Sequence, residues 1–403
     1  MSDTLPKGWK WVKLGEIAEV VGGFAFKSQH FGEYGTPVVK IKDIKPPYID
    51  VEELEKVDIS FYNDKNLKKY YIEKDDFVLA MTGATIGKIG ILKRDLKLLI
   101  NQRVAKIVPK DIVNKAFIYY SINNNTFQQF IQNNIDSNSA QENISSQSIG
   151  RFPILLPPLP EQKAIAEVLS SLDDKIELLH RQNKTLEEMA MTLFRQWFIE
   201  PTKDGLPEGW EEKNLKDICV IKNGYAFKSS TYTNFGIKII RTLNFLNHWI
   251  DLNDLVYVSE ETASRYENFY LKRKDFLLVM VGASIGNFAI VTKEILPALQ
   301  NQNMWCFRAN KGISQHYLNY LLQHMIKETL QGSSGSAREF FQKSIFYEFK
   351  IKLPPPHLLS KFEEIVEPCF SKIELNRYQI QTLEKLRDTL LPKLMNGEVR
   401  VKF

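Results

Sequence analysis

The clearest pattern along the chain is a series of apolar side chains that recur at alternating steps of four and three residues, from Ile165 to Trp197. This spacing is typical of a coiled-coil seam, so it predicts one helix over residues 161–198. The same pattern returns between Phe362 and Leu394 and predicts a second long helix with an equivalent seam. The predicted seam residues are Leu169, Leu172, Ile176, Leu179, Asn183, Leu186, Leu193, Val366, Ile373, Asn376, Ile380, Leu383 and Leu390.

Each seam contains one asparagine, Asn183 in the first helix and Asn376 in the second. If two similar units close by a pseudo-twofold axis, the helices run antiparallel, and full overlap pairs Ile165 with Leu394 and Asn183 with Asn376. A seam asparagine reduces stability and is usually tolerated where two of them hydrogen-bond and exclude slipped registers. We therefore predict this contact. The alternative is that each asparagine is a partly solvated defect of its seam.

The pattern ahead of each long helix is different. Short β-like runs at residues 38–41, 77–80 and 104–108 alternate with Gly and Asn turns, and a helical stretch follows near residues 114–132. These features predict a mixed α+β globule. A proline-rich joint at residues 156–160 should end the globule, because proline cannot continue a central strand and suits a helix start.

The motifs of the first half return in the same order about 200 residues later, as duplicated domains do. The segments at 5–9, 22–28, 76–87, 101–102 and 156–158 return at 206–210, 223–229, 275–286, 301–302 and 353–355. We therefore predict an α+β fold with two tandem globular domains, each followed by a long helix, the helices pairing as an antiparallel coiled coil. The expected boundaries are 1–158 for the first domain, 159–200 for the first helix, 201–355 for the second domain and 356–403 for the second helix with its tail.

Composition narrows the protein class but does not select a function. With 44% hydrophobic and 25% charged residues over 403 positions, the chain has the mixture of ordinary globular proteins, and no run reaches the ~18 apolar residues of a membrane span. The first residues lack the basic and apolar stretches of a secretory signal, so we expect a cytoplasmic protein. Cys219, Cys306 and Cys369 are odd in number and far apart, which excludes a disulfide framework.

The charge balance of +5 is compatible with a polyanionic partner but does not require one. The duplicated architecture adds a stronger argument. Two globules held by paired helices suit a ligand with two sites at fixed spacing, and DNA presents successive major grooves about 34 Å apart on one face.

The differences between the copies suggest which residues contact DNA. Lys88 becomes Asn287, Arg103 becomes Asn303 and Gln141 becomes Arg338, whereas the residues at 83–84 and 86–87 (Gly-Ala and Ile-Gly) recur. Arginine suits guanine edges and asparagine or glutamine suits adenine, so two readers of different sequences would differ in this way; drift at solvated loops is the alternative. The candidate DNA-binding residues are Lys27, Ser28, Lys40, Lys42, Thr85, Lys88, Gln102, Arg103, Ser139, Gln141, Lys228, Ser229, Arg241, Asn244, Ser284, Asn287, Gln302, Asn303, Ser336 and Arg338.

Two of these pairs are identical in both copies. Lys27-Ser28 recurs as Lys228-Ser229, which fits phosphate contacts that position the protein without specifying a sequence. The aromatic residues beside them, Phe26 and Phe227, are expected in the core.

Three apparent catalytic motifs fail on inspection. The segment 83–88 resembles a phosphate-binding loop but is one residue short, lacks the following Ser or Thr and loses its lysine in the second copy, so we expect a turn between strands. Residues 45–48 (Lys-Pro-Pro-Tyr) resemble an amino-methyltransferase motif, but lysine replaces the residue that must accept the target amine. The six histidines form no metal-binding spacing, so no catalytic residue and no metal site is predicted.

Taken together, the motifs resemble the specificity subunits of type I restriction-modification enzymes over essentially the whole chain. The resemblance rests on the Leu-Pro-x-Gly-Trp openings, the Gly-x-Ala-Phe-Lys-Ser and Met-x-Gly-Ala-x-Ile-Gly segments, and Leu-Pro-Pro-Leu-Pro-Glu-Gln at 156–162. The second copy lacks the Glu-Gln after its prolines, which leaves the start of its helix less defined.

The resemblance implies a non-catalytic chain whose two target-recognition domains each read one half of a split double-stranded DNA target. It implies that the helices set the gap between the halves. It also implies two methyltransferase subunits and further restriction/translocase subunits as partners, with S-adenosylmethionine, ATP and Mg used by those partners and no cofactor in this chain. The helix faces away from the seam and the segments 198–210 and 396–403 are the expected docking sites for methyltransferase.

Two other classes of function remain. The chain could be a protein-binding scaffold without sequence-specific DNA readout, in which case it would show no preference among DNA sequences. An active methyltransferase or nuclease would require turnover by the chain alone.

Overall fold

The computed structural model describes residues 5–135, 142–332 and 342–402. The chain divides into two compact units, Met1–Lys175 with Leu383–Phe403, and Ile176–Thr382. The divisions fall inside the two long helices. Each unit therefore contains one globular repeat together with part of both helices.

The first unit contains a six-stranded and a five-stranded sheet, together with a two-stranded pair formed by its first and last strands. The strands are β1 (Lys10–Lys13), β2 (Ala18–Gly22), β3 (Phe31–Gly32), β4 (Thr36–Val39), β5 (Ile44–Lys45), β6 (Tyr48–Ile49), β7 (Glu55–Val57), β8 (Tyr71–Ile72), β9 (Phe77–Ala80), β10 (Ile89–Ile91), β11 (Leu98–Ile100), β12 (Val104–Pro109) and β13 (Pro153–Leu156). The six-stranded sheet has the order β2-β12-β9-β10-β6-β5, and the five-stranded sheet has the order β3-β7-β4-β11-β8.

The second unit repeats the six-stranded order and has a three-stranded sheet in place of the five-stranded one. Its strands are β14 (Glu211–Asn214), β15 (Cys219–Asn223), β16 (Ile237–Ile240), β17 (Phe245–Leu246), β18 (Trp249–Ile250), β19 (Val256–Val258), β20 (Phe276–Val279), β21 (Phe288–Ile290), β22 (Ala298–Gln300), β23 (Met304–Ala309) and β24 (Lys350–Leu353). The large sheet runs β15-β23-β20-β21-β18-β17, the small one β19-β16-β22, and β14 pairs with β24.

The helices within the globules have at most 18 residues, whereas the helix that follows each globule has 36 or 40. The short helices are Leu14–Ile17, Asp64–Leu67, Lys115–Ile122, Asn125–Asn133 and Ser146–Ile149 in the first unit, and Leu215–Ile218, Glu260–Ser264, Gln315–Gly332 and Lys343–Tyr347 in the second. The first long helix is Leu159–Phe194, continued by a wider π-helical turn at Arg195–Ile199, and the second is Pro356–Met395. No helix in the described part of the chain is both long and apolar enough to cross a membrane.

The long helices pack antiparallel, as their seams predict. In the first unit, Ile165 and Leu169 near the start of the first helix share a buried core with Leu394 at the end of the second. In the second unit, the rings of Trp197 and Phe362 lie 6.4 Å apart. The predicted seam residues are buried or half-buried, the half-buried ones being Leu172, Leu186, Leu193, Leu383 and Leu390.

The two seam asparagines meet within the second unit. Asn376 Nδ2 donates a hydrogen bond of 2.9 Å to Asn183 Oδ1, and both residues are buried. The predicted register is therefore confirmed. The pair places a specific polar contact inside an apolar seam, where any slipped pairing would leave a buried amide without a partner.

Three predicted strands are confirmed as β4, β9 and β12, and the proline joint separates β13 from the first long helix. The helical stretch predicted over residues 114–132 is interrupted. Asn114 and Asn124 each accept a hydrogen bond from the backbone N–H three residues later and begin separate helices, Lys115–Ile122 and Asn125–Asn133. Asparagine prefers helix N-caps to helix interiors, which explains the break.

Candidate nucleic-acid interface

In each unit, a tight turn connects two antiparallel strands of the large sheet; we call residues 81–88 and 280–287 the glycine turns. Gly83 and Gly87 have φ values of +69° and +82°, and a side chain is strained in that conformation. Ile86 is buried below the turn, while Lys88 is exposed and Thr85 half-buried. Because β9 and β10 pair directly on either side, the segment is a turn between strands as predicted, not a phosphate loop.

Beside each glycine turn, the chain passes from the smaller sheet into the larger one; we call residues 101–103 and 301–303 the corner turns. Met81 N donates to Arg103 O at 2.9 Å, and Met280 N donates to Asn303 O at 3.2 Å, so the two turns are joined in the same way in both units. Gln102, Arg103, Gln302 and Asn303 are exposed. The structure thus brings together side chains that lie about 15 residues apart in the sequence.

A glycine behind each corner turn allows the close approach of two backbone segments. A Cβ on Gly23 would lie 2.2 Å from the Asn101 carbonyl oxygen, and one on Gly224 would lie 1.7 Å from that of Asn301. Both distances are far inside van der Waals contact. The glycine of the repeated Gly-x-Ala-Phe-Lys-Ser segment is therefore required by packing.

The same segment presents the repeated Lys-Ser pairs. Lys27, Ser28, Lys228 and Ser229 are exposed, and the two lysines have no acidic partner among the described residues. Phe26 and Phe227 are 9% and 7% exposed, so their predicted core placement is confirmed. Two cations at equivalent places are thus available to a polyanion; that they bind phosphate remains a prediction.

Two other candidate cations in the first unit are paired within the protein. Lys40 and Lys42 both bind Glu55, the second at 2.7 Å, and Lys40 also lies 4.1 Å from the centre of the Phe31 ring. Hydrogen bonds from Lys40 and Lys42 hold the pKa of Glu55 below its usual range. A DNA phosphate would have to compete with this carboxylate.

The corresponding part of the second unit requires a correction. Asn244 is 1% exposed, and its side chain accepts from Arg241 N at 3.0 Å and donates to Asn253 O. It stabilises a backbone turn and is not available to DNA, contrary to the sequence-based expectation. Arg241 donates to the Asp254 carbonyl at 2.5 Å, so it also braces this turn.

The remaining candidates fall into two groups. Ser284 is half-buried and Asn287 exposed on the second glycine turn. Ser139, Gln141, Ser336 and Arg338 lie outside the described residues.

Two residues that the sequence reasoning missed, Thr82 and Asn143, lie beside Gln102 and Arg103. Residue 143 pairs with residue 82 only through the fold, by an isolated β-bridge, so no sequence spacing could have indicated it.

The structure also brings together three possible metal ligands that the histidine spacing did not indicate. His316, Glu363 and Glu367 have ligand atoms within 4.8 Å of one another. Lys274 Nζ already lies among them, 2.9 Å from Glu363 and 2.7 Å from Glu367, and Arg273 also binds Glu367. These side chains therefore form an ion-pair network that attaches the globule of the second unit to its long helix.

This network depends on ionised carboxylates. Burial raises the pKa of Glu367, but hydrogen bonds from Lys274, His316, Arg273 and Ser371 outweigh it and hold the pKa far below the usual range. Burial lowers the pKa of His316, so that imidazole is neutral at pH 7. The two cations, not the histidine, supply the positive charge.

Sequence comparisons with known proteins match both repeats of the chain to one family. A family model described as the type I restriction modification DNA specificity domain matches residues 6–188 and again 207–385. The chain is 28% identical to the type I restriction enzyme MjaIX specificity subunit of Methanocaldococcus jannaschii, covering 99% of this chain and 95% of that protein. It is 25% identical to the EcoBI specificity subunit of Escherichia coli, covering 98% and 87% respectively.

A solved structure shows the same fold. The S subunit of a type I restriction-modification system from M. genitalium superposes with a TM-score of 0.64 at 16% identity, covering 98% of this chain and 97% of that one. The duplicated α+β architecture with its two long helices is therefore a known arrangement.

Proposed function

The chain belongs to the type I restriction-modification DNA specificity family, and we propose that each of its globular repeats reads one half of a bipartite DNA target. The observation that carries this proposal is the pairing of glycine turn and corner turn. The same backbone hydrogen bond joins the two turns in both units, whereas the exposed side chains differ: Lys88 and Arg103 in one, Asn287 and Asn303 in the other.

Within this proposal, the exposed side chains have two roles. Arg103 suits the O6 and N7 acceptors of guanine, whereas Asn303 suits the N6 and N7 edge of adenine. Lys27 and Lys228, identical in both repeats, would contact phosphates and set the position of the protein on the duplex. With a net charge of only +5, the chain alone would bind DNA modestly, and partners would supply further phosphate contacts.

The relatives of this chain are specificity subunits, and we further propose the assembly that such a role requires. The paired helices would set the gap between the half-sites, and the chain would recruit two methyltransferase subunits and the restriction/translocase subunits in the cytoplasm. S-adenosylmethionine, ATP and Mg would act in those partners, this chain being non-catalytic. Exposed apolar side chains on the long helices, among them Met189 at 58% and Tyr378 at 61%, support docking of partners there.

A competition assay tests the proposal. The purified chain with its methyltransferase partners is bound to a labelled duplex that contains the split target, and unlabelled duplexes compete. We expect altering either half-site, or the gap length, to reduce competition by more than tenfold. Equal competition by all sequences would contradict sequence readout and leave a protein-binding scaffold as the function.

A further inference from the structure

A surface cavity of about 440 Å³ opens in the first unit between the glycine turn, the corner turn and residues 143–145. The polar residues that line it include Thr82, Gln102, Arg103 and Asn143. We call these four residues the base pocket. Only Gln102 and Arg103 were expected from the sequence to contact DNA.

The walls of the cavity are fixed by main-chain hydrogen bonds. Met81 N donates to Arg103 O at 2.9 Å, Ile144 N to Met81 O at 3.0 Å, and Gly83 N to Glu142 O at 3.0 Å. Three separate segments therefore hold one another in place. A site built on such a frame is preorganised, because binding a ligand does not require the backbone to become ordered.

Two polar groups of the pocket, the Thr82 hydroxyl and the Arg103 guanidinium, lack partners within the described part of the protein. The Thr82 hydroxyl oxygen is buried and makes no hydrogen bond to any described residue. Arg103 forms no ion pair with a described acid, although it is exposed. Buried polar atoms are nearly always hydrogen-bonded in folded proteins, so an orphaned hydroxyl beside unpaired donors indicates a place for a polar ligand.

We propose that Thr82 and Asn143 join Gln102 and Arg103 in reading one base pair, and that the residue at position 82 determines specificity. This inference rests on the proposed function and deepens it. Arg103 can donate two hydrogen bonds to guanine, and the Asn143 amide can bind the remaining polar edge in the major groove, while the buried Thr82 hydroxyl can hydrogen-bond the side chain that makes this contact. The first repeat therefore reads a G·C pair at this place.

The second repeat has a different side chain at the equivalent position. Val281 replaces Thr82 and is 46% exposed, and Asn303 replaces Arg103. An exposed valine beside an asparagine suits an A·T pair, because the valine methyls can contact the thymine C5-methyl and the amide can bind adenine. The second repeat therefore reads an A·T pair at the corresponding place.

The test exchanges these two side chains in the full chain with its methyltransferase partners. Binding is measured to duplexes in which each base pair of the mapped target is changed in turn. We expect T82V to change the base preference at one position of the first half-site by about 5- to 100-fold and to leave the second half-site unaltered. V281T should do the reverse.

Two further variants complete the test. N143A removes a half-buried lining residue and should alter the same position as T82V, while Q147A, an exposed residue of the adjoining short helix, should alter none. Thermal unfolding of each variant checks the fold. A wild-type complex without sequence preference would defeat the proposed function itself. A wild-type complex with bipartite preference, and T82V and N143A complexes with the same preference at every position, would overturn this inference alone.

Discussion

In the first unit, Gly23 lies against the carbonyl of Asn101, and in the second unit Gly224 lies against Asn301 in the same way. We call the backbone of each glycine turn and corner turn, with the glycine packed behind it, the turn frame. The side chains on the two turn frames differ, with Arg103 and Thr82 in the first unit and Asn303 and Val281 in the second. Backbone contacts therefore fix where a side chain is presented, and the side chain alone decides what it can bind.

The contacts that attach each globule to its long helices are not shared between the two units. In the second unit, Arg273 and Lys274 bind three glutamates of the second long helix, Glu363, Glu367 and Glu374. Alanine and serine occupy the positions of the first two glutamates in the first long helix, at 166 and 170.

The first unit uses different contacts. Tyr120 donates to Asp173 at 2.7 Å, and Lys93 lies 3.4 Å from Asp174. The two repeats thus share the turn frame, but different polar side chains attach them to their long helices.

Substitutions in the turn frame should reduce the free energy of unfolding more than any other change considered. Gly23→Ala and Gly224→Ala should each destabilise the protein by about 3 kcal/mol or more, because the new Cβ overlaps a backbone oxygen that cannot move independently. Urea unfolding at pH 7 measures the change. Gly32→Ala is the control, since nothing lies within 4 Å of its Cβ position. If both variants unfold like the control, the frame is not what the two repeats share.

The second-unit network should carry the next largest effect. Glu367→Gln should destabilise the protein by about 2 kcal/mol at pH 7, because the carboxylate accepts charged hydrogen bonds from Lys274 and Arg273. The folded pKa of Glu367 is depressed, so its stabilisation is complete above about pH 4.5 and is lost as pH falls towards the folded pKa.

The unfolding free energies of wild type and E367Q should therefore converge at acid pH. Glu211→Gln, which removes an exposed pair with Lys213, is the matched control and should change little. A difference between wild type and E367Q that persists undiminished at pH 3 would contradict the assignment.

The exposed corner residues should affect recognition and leave stability unchanged. Arg103→Ala should reduce discrimination at one position of the first half-site by about 1 to 3 kcal/mol, and Asn303→Ala should do so in the second. Binding to single-substitution duplexes measures the effect. Loss of discrimination in both half-sites from one substitution would show that the two repeats do not read DNA independently.

The repeated lysines should have the smallest effect and no preference among sequences. Lys27→Ala and Lys228→Ala should each weaken binding to all duplexes similarly and reduce the slope of log K against log salt by about 1. Titrations at several salt concentrations measure the slope. An unchanged slope would show that these cations do not contact phosphates.

The fold was largely predictable because its signals are periodic. The seam spacing predicted both helices, and the positions of Asn183 and Asn376 predicted the contact between them. The break between the helices at Asn123 was missed because the apolar residues on both sides were taken as one helical stretch, although the four polar residues at 123–126 and the capping preference of Asn124 were usable signals.

The site was less predictable, because it depends on contacts between distant segments. Exposed polar residues in turns, such as Gln102 and Arg103, can be expected because they separate two apolar runs, 98–100 and 104–108. Other features of the site arise from tertiary packing between segments that are separate in the sequence, so no local sequence pattern indicates them. They are the burial of Asn244, the pairing of Lys42 with Glu55 and the approach of Asn143 to Thr82.

The proposal of two half-site readers is tested by mapping methylated adenines in DNA from cells that contain this chain together with the proposed methyltransferase subunits. We expect one bipartite sequence with two short specified halves and a gap of fixed length, and an R103A chain should relax one half only. Methylation without a shared sequence, or within one uninterrupted motif, would contradict a chain built from two independent readers.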